Sequence, residues 1–297
     1  MITVPILMLV IFGFLILLGL LPLNTATEYT LFASAIVLEI LVFALPAMFY
    51  SRICGKDYTV KMQIRPFAPV KFLLLFYLLI LILLSNMLIN IGLYKLGLAS
   101  EQLSSTTSFG LTQISGQTNP LYSIFAVALV PAVCEEFVFR GVVFNEYREQ
   151  GLLCAVVMSS LLFAMSHFDF FQFLPYFISS VLICFAYTVT KSLVAPMVLH
   201  FCANLFTVFV MPYVWSALLQ VNGILFVLLF AGTVGLFCVF LVFHEAQMIY
   251  AEYAKTEPPS KRPRNRSISI AVLSKALMSP VFLCCAVIFV LISLAGK

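Results

Sequence analysis

The chain has 297 residues, 63% hydrophobic and 9% charged, about a third of the charge usual in soluble domains, which excludes a water-soluble globule. Its 16 Lys and Arg against 12 Asp and Glu give a formal net charge of +4, too sparse a supply of cations to line a phosphate-binding face, so nucleic acid is not an expected partner. Most of the eight cysteines lie in apolar runs and none forms a C-x-x-C pair; they read as small packing residues.

Apolar runs of about 20 residues, each able to cross a bilayer as a helix, follow one another along the chain. Helices are predicted over 3–22, 30–50, 70–95, 121–145, 152–168, 173–190, 193–215, 222–243 and 271–295. The expected fold class is therefore all-α, a polytopic transmembrane helical bundle of about eight or nine spans, with residues 1–297 forming a single integral membrane domain. The first run lacks the basic flank of a secretory signal and is longer than a typical signal core, so it is read as a retained span.

Basic residues set the orientation, because they concentrate in cytoplasmic loops. With the N-terminus inside, those loops hold Arg52, Lys56, Lys61, Arg65, Lys71, Arg148, Lys191, Lys255, Lys261, Arg262, Arg264, Arg266 and Lys275. Only Lys95 and Lys297 fall outside, and Arg140 lies within a span. The segment from Leu98 to Pro120, rich in Ser, Thr, Gln and Gly, is expected to be an external loop. Residues 255–269, KTEPPSKRPRNRSIS, are expected to be a basic cytoplasmic linker, read first as a positive-inside loop and also suited to anionic lipid headgroups.

An ionisable side chain at mid-bilayer costs roughly 2.5 to 3.5 kcal/mol on insertion scales, so charges inside spans are candidates for function. The fourth span, PLYSIFAVALVPAVCEEFVFRGVVF, places Glu135, Glu136 and Arg140 within six residues. Glu136 and Arg140 are four apart with the acid first, the spacing of a helical ion pair. Glu135 points about 100° away and is left available for chemistry. Pro131, one turn earlier, removes a backbone hydrogen bond and predicts a kink.

Two histidines also lie in spans. His167 ends SSLLFAMSH in the fifth, and His200 begins HFCAN in the seventh, with Asn204 one turn later on the same face. His244, beside Glu245 at the end of the eighth span, reads as an interfacial residue without a catalytic role. A carboxylate, two histidines and an amide around a wet cavity are able to hydrolyse a peptide bond. Glu135 would activate water with help from His167 and return the proton to the departing amine, while His200 and Asn204 bind the oxyanion. At about 1.5 Å per residue the three helices place Glu135, His167 and His200 at unequal depths, so tilt or a short buried turn in FDFFQF must close the gap.

The motifs EEFVFR (135 to 140), FAMSH (163 to 167) and HFCAN (200 to 204) resemble the EExxxR, FxxxH and HxxxN motifs of the CAAX prenyl protease and bacteriocin-processing family, also called Abi. Three motifs in order on nearby spans make a protease-like core over residues 120–211. The resemblance implies an intramembrane endopeptidase whose cavity opens toward the cytoplasm. It assigns Glu135 and His167 to the attacking water, His200 and Asn204 to the oxyanion, and Glu136 and Arg140 to architecture or substrate contact.

No cofactor is expected. Zinc is the alternative, because Glu135, His167 and His200 are possible ligands, although the Asn at position 204 and the absence of H-E-x-x-H favour direct glutamate catalysis. The rival functions are a proton-coupled membrane transporter, which would use the same carboxylates and histidines as a relay but for which no inverted repeat is found, and a non-catalytic membrane immunity or scaffold protein. The expected partners are a peptide or membrane-protein substrate, lipidated in the CAAX case, and membrane lipids. The expected location is a bacterial plasma membrane, and the sequence leaves the oligomeric state open.

Overall fold

The computed structural model describes residues 3–19, 28–55, 61–98, 120–219, 223–256 and 270–295. The external loop expected over 98–120 and the basic linker expected over 255–269 lie almost wholly outside these residues. Among the described residues the chain is helical throughout, without a strand. The helices are α1 (Thr3–Gly19), α2 (28–53), α3 (Pro69–Lys95), α4 (Pro120–Arg148), α5 (Leu152–Ser166), α6 (Phe173–Thr190), α7 (Val194–Phe209), α8 (Met211–Leu219), α9 (Ile224–Thr256), α10 (Ile270–Leu277) and α11 (Pro280–Ala295).

The all-α polytopic bundle is what the sequence predicts, and each of the nine apolar runs becomes a helix or a bent pair. Five helices are long and apolar enough to cross a membrane: Phe32–Ile53 within α2, then α3, α4, α6, and Leu225–Lys255 within α9. The seventh and ninth runs are broken, α7 from α8 by 51° and α10 from α11 by 60°. Pro212 and Pro280 sit just past the breaks, where a missing amide and a fixed φ suit a helix start. In the first and fifth runs, Ile6–Leu17 and Leu152–Ser166 are shorter apolar helices.

Two apolar cores flank α6. One joins α1, α2, α4, α5, α10 and α11 around residues such as Phe12, Phe43, Phe139 and Met158; the other joins α3, α6, α7 and α9 around Leu78, Ile183, Leu199 and Val242. Cys184 and Tyr187 of α6 face the first core while Ile183 and Ala186 face the second, so that helix is buried on both sides. The site lies here, because α4 packs against α2, α5 and α7.

Three π-helical stretches interrupt the helices around that point: Ile40–Ala44 in α2, and Ile124–Leu129 and Phe137–Val143 in α4. A π turn widens the hydrogen-bonded ring, leaves carbonyls imperfectly paired, and recurs at functional sites. Side chains take up these carbonyls, as an apolar layer requires. Ser159 Oγ donates to Phe139 O at 2.8 Å, and Asn145 Nδ2 lies 3.0 Å from the carbonyls of both Arg140 and Gly141. Pro131 has no N–H to offer the Val127 carbonyl four residues back, and Asn204 Nδ2 approaches that oxygen at 3.5 Å. The kink expected at Pro131 is thus a π stretch ending just before it.

Candidate active site

Glu136 and Arg140 form the ion pair that their spacing predicts, Oε1 to Nη1 at 2.7 Å, with both side chains fully buried. The π stretch that begins at Phe137 lies between them, so a regular α turn is not needed for the contact. Arg140 Nη2 also donates to the Ser180 carbonyl at 3.0 Å and lies 2.7 Å from Ser180 Oγ, and the guanidinium stacks over the Phe163 ring at 5.0 Å. These contacts offset most of the cost of burying the cation, although its Nε has no hydrogen-bond partner.

The same Glu136 oxygen lies 2.7 Å from His200 Nδ1. A carboxylate paired with arginine accepts, so Nδ1 carries the hydrogen and the ring is oriented by the acid, as a carboxylate orients a working histidine elsewhere. The opposite nitrogen, His200 Nε2, faces Glu135 Oε2 at 4.0 Å. Glu135 is 2% exposed and His200 6%, which places both inside the bundle instead of against lipid. Two adjacent acids therefore do different work: Glu136 joins Arg140 to His200, and Glu135 faces the far side of the same imidazole.

His167 caps the end of α5. Its Nδ1 lies 3.0 Å from the Phe163 carbonyl; a carbonyl only accepts, so this nitrogen is the donor and Nε2 presents a lone pair. The ring stacks on Tyr176 of α6, centroids 3.9 Å apart at 24°, and it lies within electrostatic range of both Glu135 and His200. Phe163 touches His167 at 4.9 Å and His200 at 5.7 Å, tying the two histidines through one ring.

The expected short turn after His167 is present, but it is only half-buried, with Phe170 54% exposed. Phe168 takes φ +49°, a conformation uncommon for a bulky residue, and is held by the Phe12 ring at 5.1 Å and by Ser293 Oγ, which donates to its carbonyl at 3.0 Å. Asp169 Oδ1 then accepts the amides of Phe171 and Gln172 at 2.9 and 3.1 Å. Helices from both ends of the chain thus brace the turn beside His167.

All six residues singled out from the sequence fall on α4, α5 and α7 around this point. Among them Glu135, Glu136, Arg140 and His200 form one contiguous polar cluster, and His167 joins it through ring packing. Asn204 lies one turn beyond His200 against the Val127 carbonyl. His244 stands apart, 3.7 Å from Glu245 with its side chain 56% exposed. Among the described residues no three His, Cys, Asp or Glu side chains converge closely enough to hold a metal ion.

Sequence reasoning passed over Glu39 of α2. It is 1% exposed and within electrostatic range of Glu135. The only sign was a lone acid in LFASAIVLEILVFALP, which intramembrane energetics already mark as unusual. The link from Glu136 to His200 was also unpredicted, because nothing in the sequence aligns α7 with α4.

The segment that supplies the cluster, residues 117–206, matches the family model described as Type II CAAX prenyl endopeptidase Rce1-like. Over this segment the chain resembles the Rce1-like family. The chain is 32% identical over 158 residues to the membrane-embedded CAAX protease MroQ of Staphylococcus aureus (strain USA300), an alignment that spans 50% of this chain and 62% of that protein. It is 29% identical over 125 residues to the UPF0177 protein YxdF of Lactococcus lactis subsp. lactis (strain IL1403), spanning 42% of this chain and 68% of the relative. No solved structure matches the chain significantly. The Rce1-like match ends just past Asn204, so the matched segment contains α4, α5, α6 and most of α7, while α1, α2 and α11 lie outside it.

Proposed function

We propose that the chain is an intramembrane endopeptidase that hydrolyses a peptide bond with water activated by Glu135. The observation that carries this reading is the pairing of Glu135 Oε2 with His200 Nε2 at 4.0 Å inside the bundle, a gap one water oxygen spans with hydrogen bonds to both. The match of these residues to the Rce1-like endopeptidase family model supports it.

In this mechanism Glu135 takes a proton from water as the water oxygen bonds to the carbonyl carbon. The lone pair on His167 Nε2 helps to hold that water. Negative charge grows on the carbonyl oxygen and is met by His200 Nε2–H, a donor when the ring is protonated, and by Asn204 Nδ2, whose second hydrogen is not used by the contact with Val127. The C–N bond then breaks and the amine takes the proton from Glu135. Glu136 and Arg140 touch no reacting atom; they hold His200 in place and keep their own charges neutralised.

The substrate class is a peptide or membrane-protein segment, and the names of the family and of the Staphylococcus aureus relative favour a lipidated CAAX-type chain end. The setting is a bacterial plasma membrane with the N-terminus cytoplasmic, supported by the distribution of basic residues. The deciding experiment incubates the full chain in lipid vesicles with prenylated and unprenylated CAAX peptides and detects products by mass spectrometry, with and without chelator. Cleavage lost in Glu135→Gln, His167→Ala and His200→Ala, and indifferent to chelator, is expected. Turnover retained in Glu135→Gln overturns the assigned base, and chelator inhibition reversed by zinc overturns the metal-free mechanism.

A further inference from the structure

Glu39 is the last α-helical residue of α2 before the π stretch Ile40–Ala44. The packing of α2 on the Val130–Glu136 turn of α4 brings it within electrostatic range of Glu135 and of the Cys134 thiol. Its Oε2 is buried and has no hydrogen-bond partner. Packing alone does not account for such a residue, because an apolar side chain of similar size would fill the space without the desolvation penalty.

The other charges clarify what it does. Glu136 and Arg140 cancel each other, leaving two carboxyl groups, Glu39 and Glu135, in one buried region. The titratable groups within electrostatic range of one or the other are Cys134 of α4 and His167 at the end of α5, and His200 of α7 lies 4.0 Å from Glu135. The π stretches Ile40–Ala44 and Ile124–Leu129 packed against α2 hold no ionisable side chain, and Tyr122, at the start of α4, is 49% exposed. Two carboxyl groups in one low-dielectric interior do not both ionise at modest cost.

We propose that Glu39 is a positioning acid for the catalytic centre: Glu39 and Glu135 hold one proton between them, so that a single negative charge rests on Glu135 when water is to be deprotonated. This rests on Glu135 being the base. The proton of Glu39 stays in place through the cycle; the proton that reaches the amine is the one Glu135 took from water. Losing the Glu39 proton at high pH puts a second negative charge beside the growing oxyanion, and turnover falls. The acid therefore acts through Glu135 and sets the alkaline edge of activity without touching substrate.

The test is the pH profile of kcat and KM for the full chain in vesicles, with Glu39→Gln, Glu39→Asp and Glu135→Gln beside the wild type. Glu39→Gln keeps the shape of the side chain and cannot ionise. It is expected to extend the alkaline limb by about one pH unit or more with KM unchanged, whereas Glu39→Asp restores a limb. Infrared spectra of the full chain give a reading that needs no turnover: a protonated-carboxyl C=O band at neutral pH, lost in Glu39→Gln and shifted in Glu39→Asp, the variant that keeps the question open to test if the Gln chain does not fold. A Glu39→Gln profile that superimposes on the wild type while Glu135→Gln is dead overturns the role of Glu39 alone, as does a band absent from the wild type or unchanged in Glu39→Asp. Turnover in Glu135→Gln overturns the proposed function itself.

Discussion

Helices α4 and α9 are both long enough to cross a bilayer, yet 56% of the apolar stretch of α4 is buried inside the protein against 17% for α9. Over its apolar residues α9 is an unbroken α-helix that turns Leu225, Phe226, Leu236 and Phe240 outward, each more than 60% exposed. The other helix carries two π stretches, and it buries Pro131 together with the charges of Glu135, Glu136 and Arg140. Lipid accepts apolar side chains at no penalty, so an outer helix needs only length and hydropathy. A helix that holds charge has to be surrounded by the rest of the bundle, and its departures from α geometry are repaired by side chains from α5 and α7.

Substitutions that break the contrast are ranked by how much of this surrounding structure they disturb. Glu135→Gln in α4 is expected to lower kcat for peptide cleavage by about 10² to 10⁴, the range for loss of a general base, with thermal unfolding in detergent shifted little. Asn204→Ala is expected to lower kcat by about 10² to 10³, the range for an oxyanion donor, and steady-state kinetics should show KM nearly unchanged. Glu136→Gln leaves the buried Arg140 without its counter-charge and is expected to destabilise the fold by about 3 to 5 kcal/mol. Denaturation of Glu136→Gln/Arg140→Met should recover much of that loss, since the double variant leaves no uncompensated charge; failure to recover would show that the pair does more than neutralise itself. At the other end, Leu236→Ala on the outer face of α9 is expected to change stability by no more than about 0.5 kcal/mol, measured in the same unfolding assay. A large effect there would place that face against protein instead of lipid.

The two kinds of helix were unequally legible. α9 could be read from hydropathy alone, and its boundaries differ from the prediction mainly because the helix runs past the expected end at 243 into the charged stretch up to Thr256. For α4 the i,i+4 spacing correctly paired Glu136 with Arg140, since both partners lie on one element. Spacing left Glu135 without a partner for the same reason, and it could not tell that His200 would lie between the two acids. The breaks at 210 and 279 were hidden inside continuous apolar runs, where hydropathy carries no information about direction. Glu39 was missed because one acid in one span has no local pattern; only the packing of α2 against α4 turns it into a neighbour of Glu135.

By itself the sequence determined that this is an α-helical membrane protein, roughly where its helices lie, and which few polar side chains are too expensive to leave in lipid. Those are properties of single segments in an apolar solvent, and segment composition is enough to decide them. The tertiary structure alone decided which polar groups meet: that Glu136 serves both Arg140 and His200, that Glu135 faces the other imidazole nitrogen, and that helices from both ends of the chain brace the turn beside His167. Such contacts join residues far apart in the chain, as Phe168 and Ser293 show at a separation of 125 positions. They depend on how helices tilt and interlock, which the apolar pattern of each helix leaves undetermined.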